Sequence, residues 1–187
     1  LLHGGRPRLD WLTASIDGIE HRFDTEDPAE MIASVNRLIE LHDPDVVYTT
    51  GGDDFLIPLL LILQQGARDW DGEPVCFRFD REEPPEPREI RVEGRSYFSY
   101  GRVLYQAPDY PFYGRWHLDS NNSFMIEHTG LQGLIEVTRV SQLPIQRIGR
   151  RSIGTGITSI QLAYAYREGF LIPWKKAVPE AWKSAAQ

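Results

Sequence analysis

Asp43-Pro44-Asp45-Val46-Val47-Tyr48-Thr49-Thr50-Gly51-Gly52-Asp53-Asp54-Phe55 is the stretch from which the fold is read. Val46-Val47-Tyr48-Thr49 has the β-branched make-up of a strand buried in the middle of a sheet. Asp43-Pro44 breaks the chain before it and Gly51-Gly52 ends it, after which Asp53 or Asp54 can cap a helix predicted over Phe55 to Gln65. Upstream, Asp27-Pro28 with Glu30 supplies an N-cap, a proline at the first helical position and an acidic first turn. Met31, Val35, Leu38 and Ile39 follow at helical spacing, so a helix is expected from Pro28 to Leu41. Earlier still, Trp11 to Phe23 reads as two short strands around Asp17-Gly18, a dipeptide suited to the positive backbone angles of a hairpin turn. This order is α/β, and the polar loop 50–54 at the C-terminal edge of the central strand is the usual place for a site.

Downstream, Asp69 to Gly94 is rich in proline, glutamate and arginine. It holds one predicted strand, Val75 to Phe79, and an exposed acidic loop, Glu82 to Glu89. Arg95 to Tyr105 and Tyr110 to Leu118 alternate and are aromatic, which predicts β-structure punctuated by Gly101 and Gly114. From Leu131 the period becomes helical: Leu131, Leu134, Ile135, Val137 and Val140 form one predicted amphipathic helix. Ile157, Ile160, Leu162 and Tyr164 belong to another, preceded by a turn over Ser152-Ile153-Gly154-Thr155-Gly156.

The 187 residues, 41% hydrophobic and 25% charged, exclude disorder and suffice for one domain with a core, or for a domain and a short appendage. No apolar run reaches the roughly 18 to 20 residues that span a bilayer, so a soluble protein without membrane partners is expected. A single cysteine, Cys76, excludes an internal disulfide and a thiolate metal cluster, and a reducing cytoplasm follows as the expected compartment. Residues 1–130 carry 12 Lys+Arg against 24 Asp+Glu, whereas residues 131–187 carry 8 against 3. All three lysines (Lys175, Lys176, Lys183) lie in the last 13 residues. The arginine skew before them suits bidentate phosphate recognition, although GC-rich codon usage produces it as simply. A start at Leu1, with no methionine or signal peptide, is the expected look of a piece of a longer polypeptide.

Asp43, Asp45, Asp53 and Asp54 gather around the central strand, the kind of cluster that holds Mg²⁺ or Mn²⁺ for phosphoryl chemistry. The same residues are also where turns and helix caps want aspartate, and that structural reading takes precedence. His42, His117 and His128 share no i, i+4 spacing and do not indicate a metal site. Cys76, between Val75 and Phe77, reads as a small buried hydrophobe. Gly154-Thr155-Gly156 behind Arg150-Arg151-Ser152 is a candidate phosphate contact. Tyr97, Phe98, Tyr100 and Tyr105, with Arg95 and Arg102, have the make-up of a base-stacking sheet, but cross-strand core pairs account for such alternation more often.

Taken together, these segments resemble the exonuclease-domain region of family B DNA polymerases, and in particular an archaeal and bacterial branch regarded as inactivated. Asp43 to Phe55 is similar to the second exonuclease motif, which active members write Asp-Pro-Asp-Val, three residues, Tyr-Asn-Gly-Asp-Asn-Phe-Asp. Gly94 to Arg102 and Gly114 to Asp119 are similar to the strands that follow in the inactivated branch. Gly130 to Glu136, Leu143-Pro144, Arg150 to Thr155 and Gly169 to Lys176 are similar to the helical passage toward the palm.

The resemblance implies a ribonuclease H-like fold, a mixed sheet flanked by helices with a helical C-terminal extension. Residues 1–130 would form the exonuclease-type domain, its first strand upstream or missing, and residues 131–187 the passage toward an absent palm. It also implies loss of activity. The motif's metal-ligand aspartate falls on Leu56 and its asparagine on Gly51, an upstream Asp-x-Glu is lacking, and no tyrosine-aspartate helix motif follows. The degenerate motif Gly51, Asp53, Asp54 and Leu56 is therefore expected to be non-catalytic, with no cofactor and with Leu56 buried as packing. Expected partners are the remaining polymerase domains and DNA, the latter bound weakly through Arg147, Arg150, Arg151, Ser152, Lys175 and Lys176. The alternatives are a working Mg²⁺- or Mn²⁺-dependent 3′–5′ exonuclease using Asp53, Asp54 or Asp119 with an upstream Asp-x-Glu, and a protein-interaction module presenting its acidic face.

Overall fold

Asp17 and Gly18, at φ 52° and 79°, turn β1 (Leu12–Ile16) back antiparallel onto β2 (Ile19–Phe23), as the hairpin signal requires. The structure, a computed structural model describing residues 9–91, 94–99 and 101–172, is α/β. α1 (Pro28–His42) starts where the sequence places it, with the Asp27 carboxylate accepting from the Ala29 N–H at 3.0 Å. It buries Met31, Ile32, Val35, Leu38 and Ile39. Asp43, at φ 38°, ends it with an N–H donated to the Ile39 carbonyl.

β3 (Val46–Thr49) lies where expected, but among the described residues it pairs on one side only, and Tyr48 is exposed. The second helix departs from expectation at its start. Gly51 (φ 79°) leads into a π-helical turn, Gly52–Leu56, before α2 (Ile57–Gln64) begins. Pro58 in the first turn of α2 has no N–H to give, and the Gly51 carbonyl instead takes the N–H groups of both Phe55 and Leu56. Leu56 is half-buried and packs against the core, partway to its expected burial.

Val75 to Phe79 is not a strand. After Val75, whose N–H goes to the Ala67 carbonyl, the backbone bonds of the segment go to helix side chains instead of a neighbouring strand. Asn36 of α1 donates to the Cys76 carbonyl at 2.8 Å and accepts from the Arg78 N–H at 2.9 Å, while Gln64 of α2 accepts from Phe77. Alternation then turns Phe77 and Phe79 inward and leaves Cys76 exposed, which corrects its reading as a buried hydrophobe.

β4 (Arg95–Ser99) and β5 (Arg102–Gln106) form a second antiparallel hairpin on which Phe98, Val103 and Tyr105 are exposed. Phe98 and Tyr105 are thus not core, while Tyr97 and Tyr100 lie outside the described side chains. β6 (Trp116–Asp119) returns to pair in parallel with β3, Val46 opposite Trp116 and Thr49 opposite Asp119. The described strands therefore make three two-stranded sheets and do not join into the single mixed sheet expected.

α3 (Phe124–Ser141) begins earlier than its periodicity suggests, because Ser123 caps it through the Ile126 N–H, and it kinks at Gly130. α4 (Ile145–Gly149) and α5 (Ile153–Glu168) follow. The expected turn at 152–156 is in fact the first turn of α5. Gly156 there faces Val137, where a Cβ would come within 2.9 Å of the valine methyl. Gly156 thus serves helix packing.

One core gathers Val35, Ile39 and the leucines of α2 with Phe79, Tyr110 and Phe112. Another joins Leu118 and Met125 to Leu134, Ile145 and Ile148, so the hydrophobic interior runs across residue 130. A third, smaller cluster sets Ala29 and Ile32 against Ala67. No helix among the described residues is long and apolar enough to cross a membrane.

Asn36 stands in for the missing ladder, and its truncation leaves two backbone groups without their partner. Asn36→Ala is expected to lower stability by about 1 to 3 kcal/mol in urea denaturation and to speed hydrogen exchange at the Arg78 amide.

Candidate functional site

The loop between β3 and α2, singled out by the sequence, sits at the carboxyl ends of the parallel pair β3 and β6. Asp119, the last residue of β6, faces it. Its carboxylate accepts from the Gly51 and Asp53 N–H groups, both at 2.8 Å, and from the Asn121 N–H at 3.2 Å. These are orphan donors at the start of a helical segment, and a carboxylate on them also meets the positive end of the peptide dipoles. Gly52 sits tight beneath: a Cβ there would lie 2.1 Å from Thr49 Oγ1.

Asp53 points inward and is fully buried. Arg150 clamps it, Nε to Oδ2 at 2.6 Å and Nη2 to Oδ1 at 3.0 Å. The Tyr110 N–H and the Asn122 amide supply two more bonds, at 3.0 and 2.8 Å, so both carboxylate oxygens are saturated. Arg150 spends its remaining Nη1 on the carbonyls of His117 and Gln146.

His117 completes the cluster. Its Nδ1–H donates to the Tyr110 carbonyl at 2.7 Å, which leaves Nε2 to accept from the Thr49 hydroxyl at 2.9 Å. Burial, and then the Arg150 guanidinium 2.9 Å away, hold its pKa below the ordinary histidine value, and the ring is neutral. Phe112 stacks on it at 4.5 Å between ring centroids, followed by Phe79 and Phe77.

The four aspartates read as one cluster are separated by the fold. Asp43 and Asp45 lie before β3, at its amino end, where Arg81 bonds to both. Asp53 is internal, Asp54 is exposed and Leu56 is apolar. These residues offer little to a pair of divalent ions: Asp53 and Asp119 are engaged by protein donors and Leu56 is apolar. Among the described residues no group of three or more His, Cys, Asp or Glu is arranged to hold a metal ion.

The candidate DNA contacts also part company. Arg147 is exposed on α4, Arg151 reaches Asp109 at 3.2 Å, and Ser152 Oγ lies 3.5 Å from Thr155 Oγ1. Arg150 is not presented to an external phosphate, because its guanidinium is committed to Asp53. Lys175 and Lys176 lie outside the described residues. Reading the sequence missed the pairing of Asp53 with Arg150, 97 positions away, and the parts played by Asn122 and Gln146. No local pattern announces such partners. In sequence, the chain matches no protein-family model and no curated protein.

Two outcomes test the site. Asp53→Asn or Arg150→Met strands one buried member of the pair and is expected to cost about 3 to 5 kcal/mol in urea denaturation, with the double variant losing less than the sum of the two. His117 remains neutral when folded, whereas in the unfolded chain it takes up a proton as the pH falls below 6.5, so folding stability decreases toward acid. Unfolding measured at about pH 7.5 and about pH 5.5 should show a larger acid loss for the native chain than for His117→Asn.

Proposed function

We propose that this chain is a degenerate 3′–5′ exonuclease-like domain of ribonuclease H-like fold. It serves a family B DNA polymerase-like protein as a structural or nucleic-acid-binding element and does not cut DNA. The observation that carries this reading is the ion pair of Asp53 with Arg150, which neutralises a carboxylate beside the parallel strand ends. Two-metal hydrolysis needs carboxylates free to take cations from solution. Here an internal guanidinium supplies the positive charge instead.

The order hairpin, helix, strand, helix, hairpin, strand supports the ribonuclease H-like reading. So does a slot of about 530 Å³ between β1 and β3, floored by Val35, Leu38, Ile57, Leu60 and Phe112. Among the described residues no strand pairing joins β1 to β3, and each is paired along one side. A further strand would find two backbone edges and an apolar floor there. DNA contact in this reading is weak and centres on exposed Arg147, since the acidic body repels a polyanion.

Incubation with end-labelled single-stranded DNA and Mn²⁺ is expected to leave the 3′ end untrimmed, and Mn²⁺ titration should give no saturable site tighter than about 10⁻⁴ M. Trimming that Asp54→Ala abolishes would overturn the reading in favour of a working exonuclease.

A further inference from the structure

Among the described residues, two buried side-chain nitrogen atoms have no hydrogen-bond partner, and both belong to Arg115: Nε and Nη1. The residue is 7% exposed. Its remaining nitrogen, Nη2, donates to Asp43 Oδ1 at 3.1 Å, but that same oxygen also takes Arg81 Nε at 2.9 Å. One carboxylate oxygen thus serves two guanidinium groups, so Arg115 shares its single acceptor with Arg81. Asp45, the second partner of Arg81, stands out in solvent. An arginine cannot shed its proton to escape burial, so unpartnered N–H groups there are costly unless something accepts from them.

Beside Arg115 lies a pocket of about 590 Å³ lined also by Asp45, Phe112, Gly114, Trp116 and Gln146. Gln146 is engaged on both sides, its oxygen accepting from the Phe112 and His117 N–H groups and its nitrogen donating to the Phe112 carbonyl. Arg115 is therefore the cationic donor of this wall.

We propose that this pocket is a binding site for a small oxyanion, a phosphate or carboxylate group, that accepts hydrogen bonds from Arg115. Arg115 lines the pocket together with Trp116, which is 47% exposed. The site lies at the amino ends of β3 and β6, the opposite end from Asp53, and stands independently of the exonuclease-like reading.

The probe is inorganic phosphate, added to the full chain against chloride at constant ionic strength. Thermal midpoint and tryptophan fluorescence should change saturably with phosphate, and Arg115→Lys, which keeps the charge but loses the guanidinium donors, should weaken binding about tenfold or more. Movement of the Arg115 Nε–H resonance on phosphate addition to the native chain reads the same contact without a variant. A thymidine oligonucleotide that displaces phosphate supports the site with a nucleic-acid phosphodiester as its source; phosphate that stays bound supports it with a free anion. Identical behaviour in phosphate and chloride, or an Arg115 resonance that does not move, overturns the proposal.

Discussion

The buried pair of Asp53 and Arg150 is the constraint around which the rest is arranged. It ties four separate pieces of chain together: the turn opening α2, the passage before β6 through the Tyr110 N–H, the end of β6 through Asn122, and the junction of α4 with α5. Neither partner has slack, since Asp53 accepts four hydrogen bonds and Arg150 gives its own to Asp53, His117 and Gln146. A buried charge lacking its partner is strongly unfavourable, whereas a saturated pair in good geometry offsets its desolvation. The C-terminal helices must therefore sit where Arg150 reaches, and the core of Leu118, Met125, Leu134, Ile145 and Ile148 forms around that position.

The pair also decides what the adjoining carboxylates can do. A parallel strand pair ending in a glycine turn, with acids on both strands, is a common frame for cation-dependent chemistry. Here three of the acids have partners within the protein. Asp119 holds the backbone N–H groups of the π-helical turn, Asp53 holds Arg150, and Asp43 holds Arg81 and Arg115. A carboxylate already saturated by protein donors has little left to offer a cation.

Amide side chains carry much of the work that a wide sheet would do elsewhere. Asn36 and Gln64 hold the extended segment after Pro74, Gln146 holds Phe112 and His117, Gln106 takes the Arg150 carbonyl at 2.6 Å, and Asn122 takes the Ala107 N–H at 3.1 Å. Buried backbone must find partners, and these residues provide them without a neighbouring strand. The described sheets can therefore remain two-stranded while the chain between them is still pinned. A run of stacked rings, Phe77, Phe79, Phe112 and His117, carries the packing from that pinned segment to the ion pair.

The elements legible in the sequence are those set by neighbours along the chain. Asp17-Gly18 specified the first hairpin, Asp27-Pro28 the start of α1, and Val46 to Thr49 a strand ended by glycine, because turn angles, capping and β-branching act over a few residues. The interior placement of Asp53, the exposure of Cys76, the absorption of Ser152 to Gly156 into α5 and the replacement of a strand at Val75 to Phe79 were decided by tertiary structure. Each depends on a partner far away in sequence, Arg150 for Asp53 and Asn36 for Arg78, and local periodicity carries no record of which distant donor will arrive. By itself the sequence determined the local turns and the helix starts; only the folded chain decided which charges are spent inside it, because pairing and burial are properties of space and not of order.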